Sequence, residues 1–196
     1  MIEVPVKIAL PAPRAVRLTV LLARVCAIAA CAIGALVLAG WLFDLSALNE
    51  VLPDLHAMAP NAATGVLAAG LGLFCLTVRV LRPIGWLIGF LLALFGIVSV
   101  SQDLFGFDLG LDRAVLRHLP LSPEAYERMG SAHMPPGTAG SLILFGLALL
   151  SAKADRLGSA LSQFLAIAML AQVLIVLTGY AYGCLLYTSP SPRDCS

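Results

Sequence analysis

Apolar positions along this chain do not alternate with polar ones; they run together in long blocks. Five blocks contain no Asp, Glu, Lys or Arg: about Val25–Phe43, Ala62–Val78, Ile84–Val100, Gly137–Ser151 and Ala160–Tyr182. A bilayer core takes about 20 apolar residues of helix, and roughly 17 suffice. One charge at mid-depth costs about 2.5–3.5 kcal/mol, so charge-free blocks are what a membrane span requires. The pattern predicts an all-α, polytopic transmembrane bundle of five helices. The fourth block is the shortest, and its Pro135–Pro136 entry is expected to lengthen it.

The polar intervals between blocks carry an orientation signal, because Lys and Arg are retained on the cytoplasmic side. Lys7, Arg14, Arg17 and Arg24 precede the first block, Arg79 and Arg82 fill the second connection, and Lys153 and Arg156 the fourth. The first connection, Asp44–Asn61, has Asp44, Glu50 and Asp54 but no Lys or Arg. The third, Ser101–His133, holds Arg113, Arg117 and Arg128 against five acids, which weakens the contrast without reversing it. Residues 1–24 are therefore expected in the cytoplasm, and the fifth helix is expected to end outside. The charged region before the first block is too long for a signal peptide, and Trp41-Leu42-Phe43 is a poor cleavage neighbourhood.

The chain also contains a copy of part of itself. "MAPNAATGVLAAGLGL" from Met58 returns as "MPPGTAGSLILFGLAL" from Met134. An ungapped pairing matches Met58 with Met134, Pro60 with Pro136, Ala63 with Ala139, Gly70 with Gly146 and Leu71 with Leu147. Each copy opens an even-numbered helix after an outward connection. Proline suits a first helical turn, where its missing N–H would lack a partner anyway. Asn61 and Thr138 are the side chains expected to cap the remaining free N–H groups. The unit is thus an odd helix, an external connection and an even helix. Two units are complete, and the fifth helix begins a third. Gly85, Gly89 and Gly96 mark a small-residue stripe that permits close approach of another helix, within the chain or in a dimer.

Composition agrees with this reading. Apolar residues make up 60% of the chain and charged residues 12%, with a mean hydropathy of +0.97. A soluble domain carries about a quarter of its residues charged. The net charge of +1 is spread rather than clustered and so gives no pointer to nucleic acid, which is not expected as a partner. Cys26, Cys31 and Cys75 lie inside apolar blocks and read as small hydrophobes, with no disulfide framework.

No catalytic constellation stands out: the chain has no Gly-rich phosphate loop, no H-E-x-x-H and no G-x-S-x-G. No catalytic, cofactor or metal residue is assigned. His56, His118 and His133 fall in external connections near several Asp residues, at a spacing that matches no ligand motif. They read as solvated, with a metal or pH-sensing role as the alternative. Gln163 and Gln172 are nine apart, on opposite faces of the fifth helix, so they form no single transport track. Each is expected to hydrogen-bond a neighbouring helix. In the third connection Leu104, Phe105, Phe107, Leu109 and Leu111 are too apolar for free solvation. That segment reads as dipping onto the helix ends, with a short amphipathic helix at Asp112–His118, as either a cap or the wall of a shallow outward pocket.

"DLFGFDLGLDRAVL", "HMPPGTAGSLILFGLALL" and "LTGYAYG", in that order, resemble the N-terminal membrane region of bacterial multidomain signalling proteins. The resemblance covers about Val25 to Gly183. In that family a repeated hairpin region with M-[SA]-P-N-T-A helix starts precedes cytoplasmic PAS domains and a histidine kinase or, less often, a GGDEF diguanylate cyclase. Pro135 and Gly137 depart from its pattern, as does Ala62 where Thr is usual, which bears on helix capping. The resemblance implies a sensory and anchoring domain at 25–183 in a bacterial inner membrane. It implies a homodimer formed through a cytoplasmic part and a response regulator as partner, with ATP bound only by that part. A small transporter or structural membrane protein is the alternative from another class.

The last residues read differently. Cys184 to Asp194, "CLLYTSPSPRD", matches residue for residue one reading frame of the DNA adapter used in transposase-based sequencing libraries. Residues 184–196 are expected to be a non-native tail, and the native gene to continue after Gly183.

Overall fold

The computed structural model describes residues 13–43, 58–105, 134, 136–152 and 156–181. Among them every regular element is helical: α1 (Pro13–Leu42), α2 (Pro60–Thr77), a 3-10 turn (Arg79–Leu81), α3 (Arg82–Phe105), α4 (Pro136–Ser151) and α5 (Arg156–Ala181). The expected amphipathic helix at 112–118, the three histidines and residues 184–196 lie outside the described residues.

Four helices are long and apolar enough to cross a membrane, through Val16–Leu42, Pro60–Thr77, Arg79–Gln102 and Leu157–Thr178. The fourth expected span, α4, has only 16 residues. At 1.5 Å per residue it covers about 24 Å, short of a core about 30 Å thick. Its described part begins at Pro136, one residue before the expected Gly137. Its surroundings explain why a short helix is tolerated here. α4 packs on α2, α3 and α5, and Leu147 is its only large apolar side chain that is exposed.

Helix ends also depart from the apolar blocks. α1 starts at Pro13 rather than near Val25, because Arg and Leu are good helix formers and a helix need not stop where hydrophobicity does. α3 runs on to Phe105, five residues past its block. The expected Asn61 cap is not formed: Ala59 holds the N-cap position without a side-chain bond, and Asn61 sits inside the first turn, 2% exposed. Thr138 likewise lies within the first turn of α4. α2 ends when Val78 turns extended, its N–H meeting the Cys75 carbonyl at 3.1 Å.

Neighbours in sequence pack antiparallel. α1 lies along α2, α3 along α4, α2 meets α3, and α5 packs on α4. The two even helices touch and run parallel, with Leu142 against Gly65 and Leu149 against Gly72. Apolar side chains that stay exposed recur at helical spacing, as in Leu87, Leu91 and Leu94 or Leu161, Phe164 and Ile167. A girdle of this kind is what hydrocarbon accepts and water does not.

Candidate functional site: small-residue seams and a polar layer at the helix starts

The repeat read from the even helices extends to the contacts they make. A Cβ built on Gly34 of α1 would sit 2.9 Å from the Ala63 carbonyl oxygen and 2.8 Å from the Leu67 nitrogen of α2. One built on Gly96 of α3 would sit 2.7 Å from the Ala139 oxygen and 3.1 Å from the Ile143 nitrogen of α4. The reciprocal contacts repeat as well: Gly70 lies against Ala27 and Cys31, and Gly146 against Gly89 and Ala93. Even-helix partners are 76 apart in the chain, and odd-helix partners 62 apart. At all four glycines the obstructing atoms include backbone, which cannot move aside, so close approach requires the absence of a side chain.

Gly85, Gly89 and Gly96 do not all face one neighbour. Gly89 and Gly96 meet α4, whereas Gly85 meets Leu76 and the Gly72 carbonyl of α2. All three seat helices within the chain. α3 is thereby wedged between the two even helices.

One end of the bundle is basic. Arg14, Arg17 and Arg24 lie in the N-terminal half of α1, and Arg79 and Arg82 in the turn between α2 and α3. Arg24 Nε donates to Thr77 Oγ1 at 3.3 Å, which brings α1 to the end of α2. The opposite end gathers the starts of both even helices, with two polar contacts between elements. Trp41 Nε1 donates to the Met58 carbonyl at 3.0 Å, joining the end of α1 to the entry of α2. Met58 is half-buried, and Pro60 and Asn61 are the largest fully enclosed residues. At α4, Met134 is buried while Pro136 is exposed and Thr138 half-buried. Gln172 of α5 donates to the Gly137 carbonyl, which also accepts from Ser141 Oγ at 3.0 Å. Gln163, expected to bond a helix in the same way, is exposed.

The repeat relates these contacts too. Gly85 and Leu92 of α3 are buried, as are Gly158 and Leu165 of α5, in each case 73 residues further on. The same step carries Ser99 to Gln172, and the even-helix step carries Asn61 to Gly137. Asn61 and Ser99 are the buried polar residues among those described. Buried or half-buried polar positions thus recur on corresponding sites of the two odd helices that follow an even one. The Gln172–Gly137 bond holds α5 in register on α4, at about 0.6 kcal/mol.

This arrangement contains no nucleophile–base pair, and among the described residues no group of three His, Cys, Asp or Glu could hold a metal. Trp86, near the basic end, has its indole nitrogen buried without a hydrogen-bond partner among the described residues. No family model, curated protein or solved structure matches this chain.

Proposed function

We propose that the chain is the membrane-embedded sensory and anchoring region of a bacterial signal-transduction protein whose output is a cytoplasmic PAS-linked histidine kinase. The observation that carries this reading is the tandem repeat of closely seamed hairpins, together with the order of the motifs in "DLFGFDLGLDRAVL", "HMPPGTAGSLILFGLALL" and "LTGYAYG". Rigid hairpins held by small-residue seams move as bodies, and small helix shifts at their interfaces are one way a signal crosses a bilayer. α4 is here a fifth span, sheathed by longer neighbours, around which the lipid thins slightly at modest cost. The basic end faces the cytoplasm and residues 1–24 lie inside, in the inner membrane.

Two experiments test the proposal separately. Reporters fused after Arg82 and Lys153 are expected to behave as cytoplasmic and one near Ser122 as external; the reverse pattern overturns the orientation. Genomic sequence downstream of the Gly183 codon is expected to open into a PAS and kinase reading frame. An in-frame stop soon after a further helix would favour a small transporter or structural protein instead.

A further inference from the structure

Five arginines gather at one end of the bundle, and among the described residues no carboxylate balances them there. Arg14, Arg17 and Arg24 of α1 and Arg79 and Arg82 of the turn between α2 and α3 are all exposed. The sole acid among the described residues is Asp103, 21 residues beyond Arg82 on α3. At 1.5 Å per residue it is about 31 Å away, well past the ~8 Å over which physiological salt screens a charge.

Thr77 fixes the level of Arg24. It is the last residue of α2, and its Oγ1 accepts from Arg24 Nε at 3.3 Å. Arg79 follows it by two residues, and Arg82 opens α3. The bond uses one of the five guanidinium N–H groups and leaves the four on the terminal nitrogens without a partner among the described residues. A planar fork anchored in this way loses little freedom when it meets an anion. The same arginines mark where apolar surface ends. Arg24 immediately precedes the charge-free block from Val25, and Arg82 stands two residues before the one from Ile84. Val25 and Ile28 continue from Arg24 along α1 and stay exposed, as contact with hydrocarbon permits. Arg17 lies two turns farther out on the same face of α1, and Arg14 a turn beyond that.

We propose that Arg24, Arg79 and Arg82 bind the phosphodiester headgroup of an anionic phospholipid, with Thr77 orienting Arg24. Charge selects an anion, and the bidentate fork of arginine suits phosphate. Depth selects the lipid: the cluster stands at the boundary of the apolar blocks, where headgroups lie, and Val25 and Ile28 offer an acyl chain a surface beside it. Arg17 and Arg14 are about 10 and 15 Å farther out, beyond contact with the same phosphate. The inference requires that these helices span a bilayer and does not depend on a sensory role.

The test uses the full chain in phosphatidylcholine nanodiscs at about 0.15 M salt, with spin-labelled phosphatidylglycerol or phosphatidylcholine as the probe. The motionally restricted fraction of each label gives their relative affinity. Phosphatidylglycerol is expected to be preferred, and Arg24→Gln and Arg79→Gln should each lower the preference about fivefold. Arg14→Gln removes the same charge beyond the screening length and should change it by less than about twofold. Thr77→Val leaves every charge in place, so a reduced preference in that variant supports an oriented site over net charge. No preference in the unaltered chain, or equal losses for Arg14→Gln and Arg24→Gln, would overturn the proposal. Abolition of the preference by excess inorganic phosphate would overturn it too, since the site would then be one for soluble anions. Arg79 makes no bond between helices, so an unchanged preference in Arg79→Gln, with helical circular dichroism intact, counts against the site whatever Arg24→Gln does to the fold.

Discussion

The α1–α2 and α3–α4 hairpins make the same seam contacts and differ at the end opposite the basic one. In the first, α1 supplies the clasp: Trp41 reaches the Met58 carbonyl of its own partner helix. In the second, the carbonyl at the even-helix start is taken by the next helix instead: Gln172 of α5 reaches Gly137 and ties α4 forward to α5. The seam is therefore the part the two hairpins share, set by backbone approach, while the polar bond at the helix start ties α2 back to its own partner and α4 forward to the next helix. Glycines at the seam have one physical solution, whereas a carbonyl at a helix start accepts any donor that arrives.

The comparison is open to direct attack. Gly70→Leu and Gly146→Leu should each destabilise the bundle by about 3 kcal/mol, because the displaced atoms include opposing backbone. Reversible unfolding in mixed micelles measures this. A large cost at one position and none at the other would break the equivalence of the hairpins. Trp41→Phe removes the donor together with part of the buried indole, at an expected cost of about 2 kcal/mol. Gln172→Leu should cost about 0.6 kcal/mol and loosen α5 from α4 without affecting the α1–α2 hairpin. Hydrogen exchange at the start of α4 against that of α2 distinguishes the two. Gly140→Ala sharpens the contrast at the small end. A Cβ there meets only the Gln172 side chain, at 3.4 Å, so the change should stay within about 0.5 kcal/mol.

The even-helix half of the repeat was legible in the sequence, and the odd-helix half was not. Pro60 and Pro136, Ala63 and Ala139, and Gly70 and Gly146 keep residue identity because a helix start and a backbone seam each restrict the choice. Ala27 with Gly89 and Cys31 with Ala93 share only smallness, and the outward residues between them vary because lipid selects for apolarity alone. The apolar blocks placed the helices. They missed the early start of α1, since arginine interrupts hydrophobicity without interrupting a helix. Asn61 looked like a cap because it follows a proline, but the cap precedes that proline, at Ala59. Spacing set Gln163 and Gln172 on opposite faces, yet only the packing shows which face meets a neighbour.

The unequal spacing of the two half-repeats has an evolutionary reading. Partner positions drift further apart in the even helices than in the odd ones, so all the additional chain of the second unit entered between α3 and α4. The second unit thus has a longer connection between its two helices, while the backbone-to-backbone crossings keep their spacing along each helix. Connection length and helix crossing are thus separable traits of the unit, and evolution has varied the one without the other.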